Sequence, residues 1–202
     1  HLSRLGEELV LWSSREFDFI RLGDRYTTGS SMMPQKKNPD PLELVRGKSG
    51  RALGRLTGWL ATMKGLPSGY NKDLQEDKEA IFDAEATLLS SLTATGIVVS
   101  SLRLNEARSE QAASGLLLAT DVADYLVAKG MPFRQAHEVV GAMVRQLISR
   151  GQDFSDLTLS EWQEASEMFD EDVPKVITAK ASVLARCTPQ STNPQAVQKA
   201  LD

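Results

Sequence analysis

Apolar residues recur three and four positions apart along most of this chain, the spacing of one face of an α-helix. Leu2, Leu5, Leu9 and Trp12 form one such stripe and predict a first helix running to about Phe17. No capping residue precedes it, so it reads as the middle of a longer helix. Glu16–Thr28 is a mixed connector. From about Pro41 to Lys64, the positions Leu42, Val45, Ser49, Ala52, Leu56, Trp59 and Met63 repeat like the seam of a helical bundle. Gly47, Gly50 and Gly54 lower that helix's own propensity, and close approach of another helix is their expected use. Gly65–Gly69 breaks the chain, and a third helix then continues to about Leu104, a length of about thirty residues that suits a long bundle.

From Asn105 the pattern changes to shorter, ordinarily amphipathic pieces, which places a domain boundary there. Helices are predicted over Leu116–Lys129, closed by Gly130 and Pro132, and from Pro132 to about Arg150, closed by Gly151. A Thr158 cap predicts another through about Met168, Asp172–Arg186 a further one, and Asn193–Pro194 starts the last. No strand, repeat or low-complexity stretch stands out. The expected class is all-α.

Composition narrows the function more than the fold. The 202 residues are 41% hydrophobic and 25% charged, with a net charge of −4, which gives no support to nucleic-acid binding. A single cysteine, Cys187, leaves no internal disulfide and suits a reducing cytoplasm. No signal-peptide pattern is present. Ala86–Leu102 carries no charge, yet it is short for a membrane span and dense in Ser and Thr. The expectation is no membrane insertion but a helix buried on most sides, between subunits. His137 lies in HEVVG, without the second His of a zinc motif, and reads as a partly buried helix-face residue. Trp12 and Trp162 read as packing residues.

Two polar stretches carry candidate chemistry. Residues 27–39 form a Gly-led, Pro-punctuated loop with two hydroxyls, two lysines and an amide: Ser30, Ser31, Lys36, Lys37 and Asn38. It ends at Asp40-Pro41-Leu42-Glu43, which reads as an N-cap Asp, Pro at the first helical position and Glu in capping-box spacing. A helix N-terminus there favours a carboxylate-bearing ligand. Met32 and Met33 are expected to pack the loop against its neighbours. The second stretch is Tyr70–Lys78, YNKDLQEDK. A capped first turn with Asp73 as its cap explains its acids, but not the aromatic, the amide and the lysines among them.

Gly-Ser-Ser-x-Met-Pro-x-Lys-x-Asn-Pro resembles the signature loop of the fumarase/aspartase superfamily of lyases. The longer runs Thr28–Arg51 and Gly65–Ala80, continued by Thr120–Glu138, resemble the argininosuccinate lyase family, over the C-terminal half of its subunit. That resemblance implies part of a long central helical bundle over 1–104 and a small C-terminal helical domain over 105–202. It also implies elimination of fumarate from argininosuccinate to leave arginine. Ser30 matches the base and Lys36 the lysine that stabilises the aci-carboxylate. Asn38, Tyr70, Gln75 and Lys78 match substrate contacts, with Ser31 and Glu43 as supports. A neutral serine is a weak base, so Lys36 and the loop's N–H groups are needed to stabilise its alkoxide. No metal or organic cofactor is implied.

The family's active sites are shared among the subunits of a homotetramer, and its catalytic His belongs to an N-terminal half missing from this sequence. The chain by itself is therefore expected to show no turnover. Cys187–Ser191 departs from the Gly-rich turn expected at that place. Three other readings stay open: a crystallin-like structural protein of the same fold, an inactive helical oligomerisation module, and a sister lyase acting on adenylosuccinate or fumarate.

Overall fold

The computed structural model describes residues 1–202, and the chain divides into two compact units, His1–Arg108 and Ser109–Asp202. Ten α-helices and four two-residue strands make up the regular structure, so the all-α class holds, with small ladders added where the pattern gave no strand signal.

The first unit contains α1 (Leu2–Trp12), α2 (Asp40–Met63) and α3 (Asp77–Ser101). The first helix stops five residues short of its expected end. Ser13 caps it, and the chain then turns through Asp18 at φ 49°, a left-handed conformation no helix can continue through. Two antiparallel ladders follow: β1 (Ile20–Arg21) with β4 (Arg103–Leu104), and β2 (Thr28–Gly29) with β3 (Lys37–Asn38). The pairs are too short to show alternation in sequence.

α2 and α3 pack as an antiparallel hairpin. Leu42, near the start of α2, shares an apolar cluster with Val98, near the end of α3. Further along, Arg51 and Arg55 both bond to Asp83, near the start of α3. Leu9 and Ile20 complete the cluster, and Arg46 pairs with Glu7 across α1 and α2. Close approach falls at Gly6 of α1, where a Cβ would lie 3.0 Å from the Leu42 carbonyl oxygen. Gly47, Gly50 and Gly54 instead face open space within the chain, against the expectation of close packing there. The expected seam is buried only at Leu42 and Val45; Leu56 and Met63 are exposed.

α3 is inverted. Its buried positions are Thr87, Ser91, Thr95 and Val98, while Ile81, Phe82, Leu88, Leu89 and Leu92 are exposed. Two of these hydroxyls tolerate burial because they bond one turn back: Ser91 Oγ to Thr87 O and Thr95 Oγ1 to Ser91 O, both at 2.7 Å. Within the chain, burial on most sides is therefore not observed. Lys72–Ser101 is long and apolar enough to cross a membrane by length and composition.

α4 (Glu106–Ala112) bridges the division between the units. The second unit then holds α5 (Ala119–Ala128), α6 (Phe133–Arg150), α7 (Leu159–Ala165), α8 (Val173–Val176), α9 (Ala179–Leu184) and α10 (Pro194–Leu201). Gly151 ends α6 at φ 65°, the left-handed cap that glycine adopts without penalty. Thr158 and Glu161 form a complete capping box at α7. The stretch expected as one helix over Asp172–Arg186 is two, because the chain leaves helical geometry at Ile177 and Thr178 restarts it as a cap. Trp162 is the centre of the core, 5.5 Å from the Phe154 ring and 4.9 Å from that of Phe169. Tyr125 stacks on Phe169 and donates to Asp172 Oδ1, while Lys129 lies over its ring and pairs with Asp170. Trp12 is 40% exposed, and His137 is exposed, so neither packs as expected.

Candidate active site

The β2–β3 ladder pairs Thr28 with Asn38 and Gly29 with Lys37, which closes residues 30–36 into a hairpin loop at the start of α2. Ser30 is half-buried, and its Oγ accepts hydrogen bonds from the backbone N–H groups of Met32 and Met33, both at 3.2 Å. Lys36 N–H donates to Met33 O at 2.9 Å, completing the turn. The Lys36 side chain is exposed and makes no hydrogen bond or ion pair; the Asn38 amide is half-buried and makes none either. Ser31 and Glu43 are exposed. Lys37 pairs with Asp24, whose carboxyl is thereby held below the usual carboxylate range.

Asp40 is the first residue of α2, with Pro39 before it and no side-chain bond at the cap. The expected capping box is absent, because proline at position 39 takes the capping place and Asp40 acquires helical geometry. Asp40 and Glu43 still lie in the first turn, where the dipole favours acids. Met32 is 88% exposed and Met33 43%, so neither packs the loop down.

The second cluster lies in and before the 3₁₀ turn Lys72–Glu76 that leads into α3. Gln75 Nε2 donates to the Tyr70 hydroxyl, and Lys78 Nζ donates to Gln75 Oε1 at 3.0 Å and approaches Asp77 Oδ1 at 3.2 Å. Tyr70, Gln75 and Lys78 thus form one hydrogen-bonded line on an exposed surface. Asn71, rather than Asp73, holds the cap position of that turn.

The two clusters do not meet. The hairpin loop precedes α2 and the second cluster follows it, so the 24 residues of α2 separate them by about 36 Å. No hydrogen bond or ion pair joins Ser30, Lys36 or Asn38 to Tyr70, Gln75 or Lys78. A cleft of the first unit, about 800 Å³, is lined by Asp18, Asp24, Tyr26, Lys37 and Arg103 among others, and holds none of those six. Asp24 carries no signal in the sequence; only the ladder reveals that it faces Lys37.

Comparison with known proteins gives a consistent result. The family described as "Argininosuccinate lyase C-terminal" matches residues 116–184, and the family described as "Lyase" matches residues 1–54. The chain is 53% identical over 203 residues to argininosuccinate lyase of Moorella thermoacetica, and 49% identical over 202 residues to that of Schizosaccharomyces pombe. Both alignments cover 100% of this chain and 44% of the relative, so the chain spans less than half the length of these curated relatives. The crystal structure of EDDS lyase in complex with formate superposes with a TM-score of 0.83 at 30% identity, over 100% of this chain and 42% of that one.

Proposed function

We propose that this chain, which belongs to the argininosuccinate lyase family as its C-terminal part, takes part in splitting argininosuccinate into arginine and fumarate, a carbon–nitrogen lyase reaction. The observation that carries this reading is the Ser30 Oγ held by two backbone N–H groups. Hydrogen bonds donated to an oxygen favour its charged form, so the loop stabilises a serine alkoxide that a bare hydroxyl would not yield. As alkoxide, Ser30 removes the proton beside a substrate carboxylate. The ammonium of Lys36, held by no competing anion, stabilises the charge that builds on the aci-carboxylate. Asn38 binds substrate at the same loop, and Ser31 and Glu43 support it.

At the other end of the α2–α3 hairpin, the line of Tyr70, Gln75 and Lys78 supplies a cation, an amide and a phenol for carboxylates and the arginine-like tail. Their separation from Ser30 supports a site built from different subunits of a homotetramer, with each chain contributing to more than one site. Residues 1–104 are then one chain's share of a central bundle, and 105–202 a C-terminal helical domain. The exposed apolar faces of α2 and α3 are what such a bundle covers. The leaving nitrogen's proton comes from a group outside this chain. The reaction is placed in the cytoplasm, where Cys187 stays reduced.

The test is Ser30→Ala in the complete, assembled enzyme. Fumarate release should fall by about 10²–10⁴-fold, the usual contribution of a general base, with the native mass unchanged. Turnover within a few-fold of the parent would falsify the assignment.

A further inference from the structure

The two adjacent lysines of the loop are put to different uses. Neighbouring residues of a strand point to opposite faces, so Lys37 and Asn38 of β3 diverge. Lys37 Nζ pairs with Asp24 Oδ1, whereas Lys36 has no partner. Asp24 opens the 3₁₀ turn Asp24–Tyr26 that feeds β2, and its carbonyl accepts from Thr27 Oγ1 at 3.3 Å. The ion pair therefore ties the last strand of the loop to the turn before its first strand.

The loop has little else to hold it. A two-residue ladder is marginal by itself, the hydrogen bonds at the tip are local, and neither methionine anchors it in a core. The Lys37 hydrogen bond, reinforced by its charge, holds the Asp24 carboxyl below its usual range.

We propose that Asp24 is a positioning residue for the signature loop: through Lys37 it keeps the base of residues 30–36 closed. Ser30 and Lys36 are then presented together, and Lys37 is kept away from the substrate carboxylates. The proposal rests on the roles given above to Ser30 and Lys36. Exposed ion pairs contribute little to global stability, so its effect is local.

The test compares Asp24→Asn, Lys37→Met and the charge exchange D24K/K37D in the complete, assembled enzyme. Each single change should lower kcat about tenfold while KM moves less than about threefold, the signature of misplaced catalytic groups. Proteinase K should cut within residues 30–36 about tenfold faster, with the melting temperature unchanged. The charge exchange should return both readouts to within about threefold of the parent. The proposal is overturned by unchanged kcat and protection in Asp24→Asn, by lost kcat with the loop still protected, or by a charge exchange no better than either single change. If Ser30→Ala itself retains turnover, the reading of the site fails and the catalytic half of this proposal falls with it; protease sensitivity then still measures the tie by itself.

Discussion

The second unit closes fifteen buried residues into one core, whereas the first, although longer, has an apolar cluster of only four. Large apolar side chains are not scarce in the first unit. They point outward: Leu44, Leu53, Leu56 and Leu60 on α2, and Ile81, Phe82, Leu88, Leu89 and Leu92 on α3. Burial of apolar area is the main favourable term in folding, at about 25 cal/mol per Å², so a unit that leaves such helices bare has not used most of its own driving force. The second unit resembles a self-sufficient domain. The first leaves the apolar faces of its two long helices uncovered within the chain.

The sharpest way to break this contrast is to place a charge on the bare face. Leu89→Lys, at a position 56% exposed within the chain, should leave the fold of a single subunit within about 0.5 kcal/mol. The same change should dissociate the assembled enzyme and abolish turnover, as read by native mass and fumarate release. An intact assembly with normal activity would show that this face meets solvent.

In the second unit the corresponding change acts through its own core. Trp162→Ala should destabilise that unit by about 3–5 kcal/mol, the cost of deleting a fully buried large aromatic, as read by urea denaturation. Native mass should change only where unfolding begins. A shift much below 1 kcal/mol would mean that the core around Phe154, Phe169 and Tyr125 is not cooperative.

The smallest expected effect concerns the brace between α2 and α3. Asp83 is held below its usual range chiefly by its bond to Arg51 and then by that to Arg55. Its folded value thus lies under the unfolded one near 3.8, and the unfolded chain binds more protons on acidification. The stabilising contribution is complete above the unfolded value and is lost as pH falls through the folded one. Melting temperature should therefore drop more between pH 5 and about pH 3 in the parent than in Asp83→Asn. Equal slopes in the two proteins would remove the brace from the account.

How much was legible beforehand follows the range of the interaction responsible. The extents of α2 and α6, the Gly151 cap and the Thr158 cap come from contacts within one turn of helix, and local pattern reports those well. The early end of α1 was not readable, nor was the turn beyond it, where Asp18 sits at positive φ and Asn105 Nδ2 reaches its carboxylate at 2.8 Å across 87 residues. Nor was the break at Ile177, or the loss of the Asp40 cap to Pro39. At the candidate site, the spacing of Ser30, Lys36 and Asn38 marked the loop. The N–H groups on Ser30 Oγ and the Asp24–Lys37 pair appear only once the ladder folds the loop back on itself.

By itself, then, the sequence determined the helical class, the positions of the long helices and the two polar stretches, since each depends on periodicity and turn chemistry over a few neighbouring residues. Tertiary structure alone decided which faces are buried. It turned α3 inside out by packing its Thr and Ser stripe inward, where the Ser91 and Thr95 hydroxyls bond to the preceding turn. It also set Ser30 and Lys78 at opposite ends of α2, a consequence of the length and antiparallel pairing of two rigid helices that no local pattern encodes.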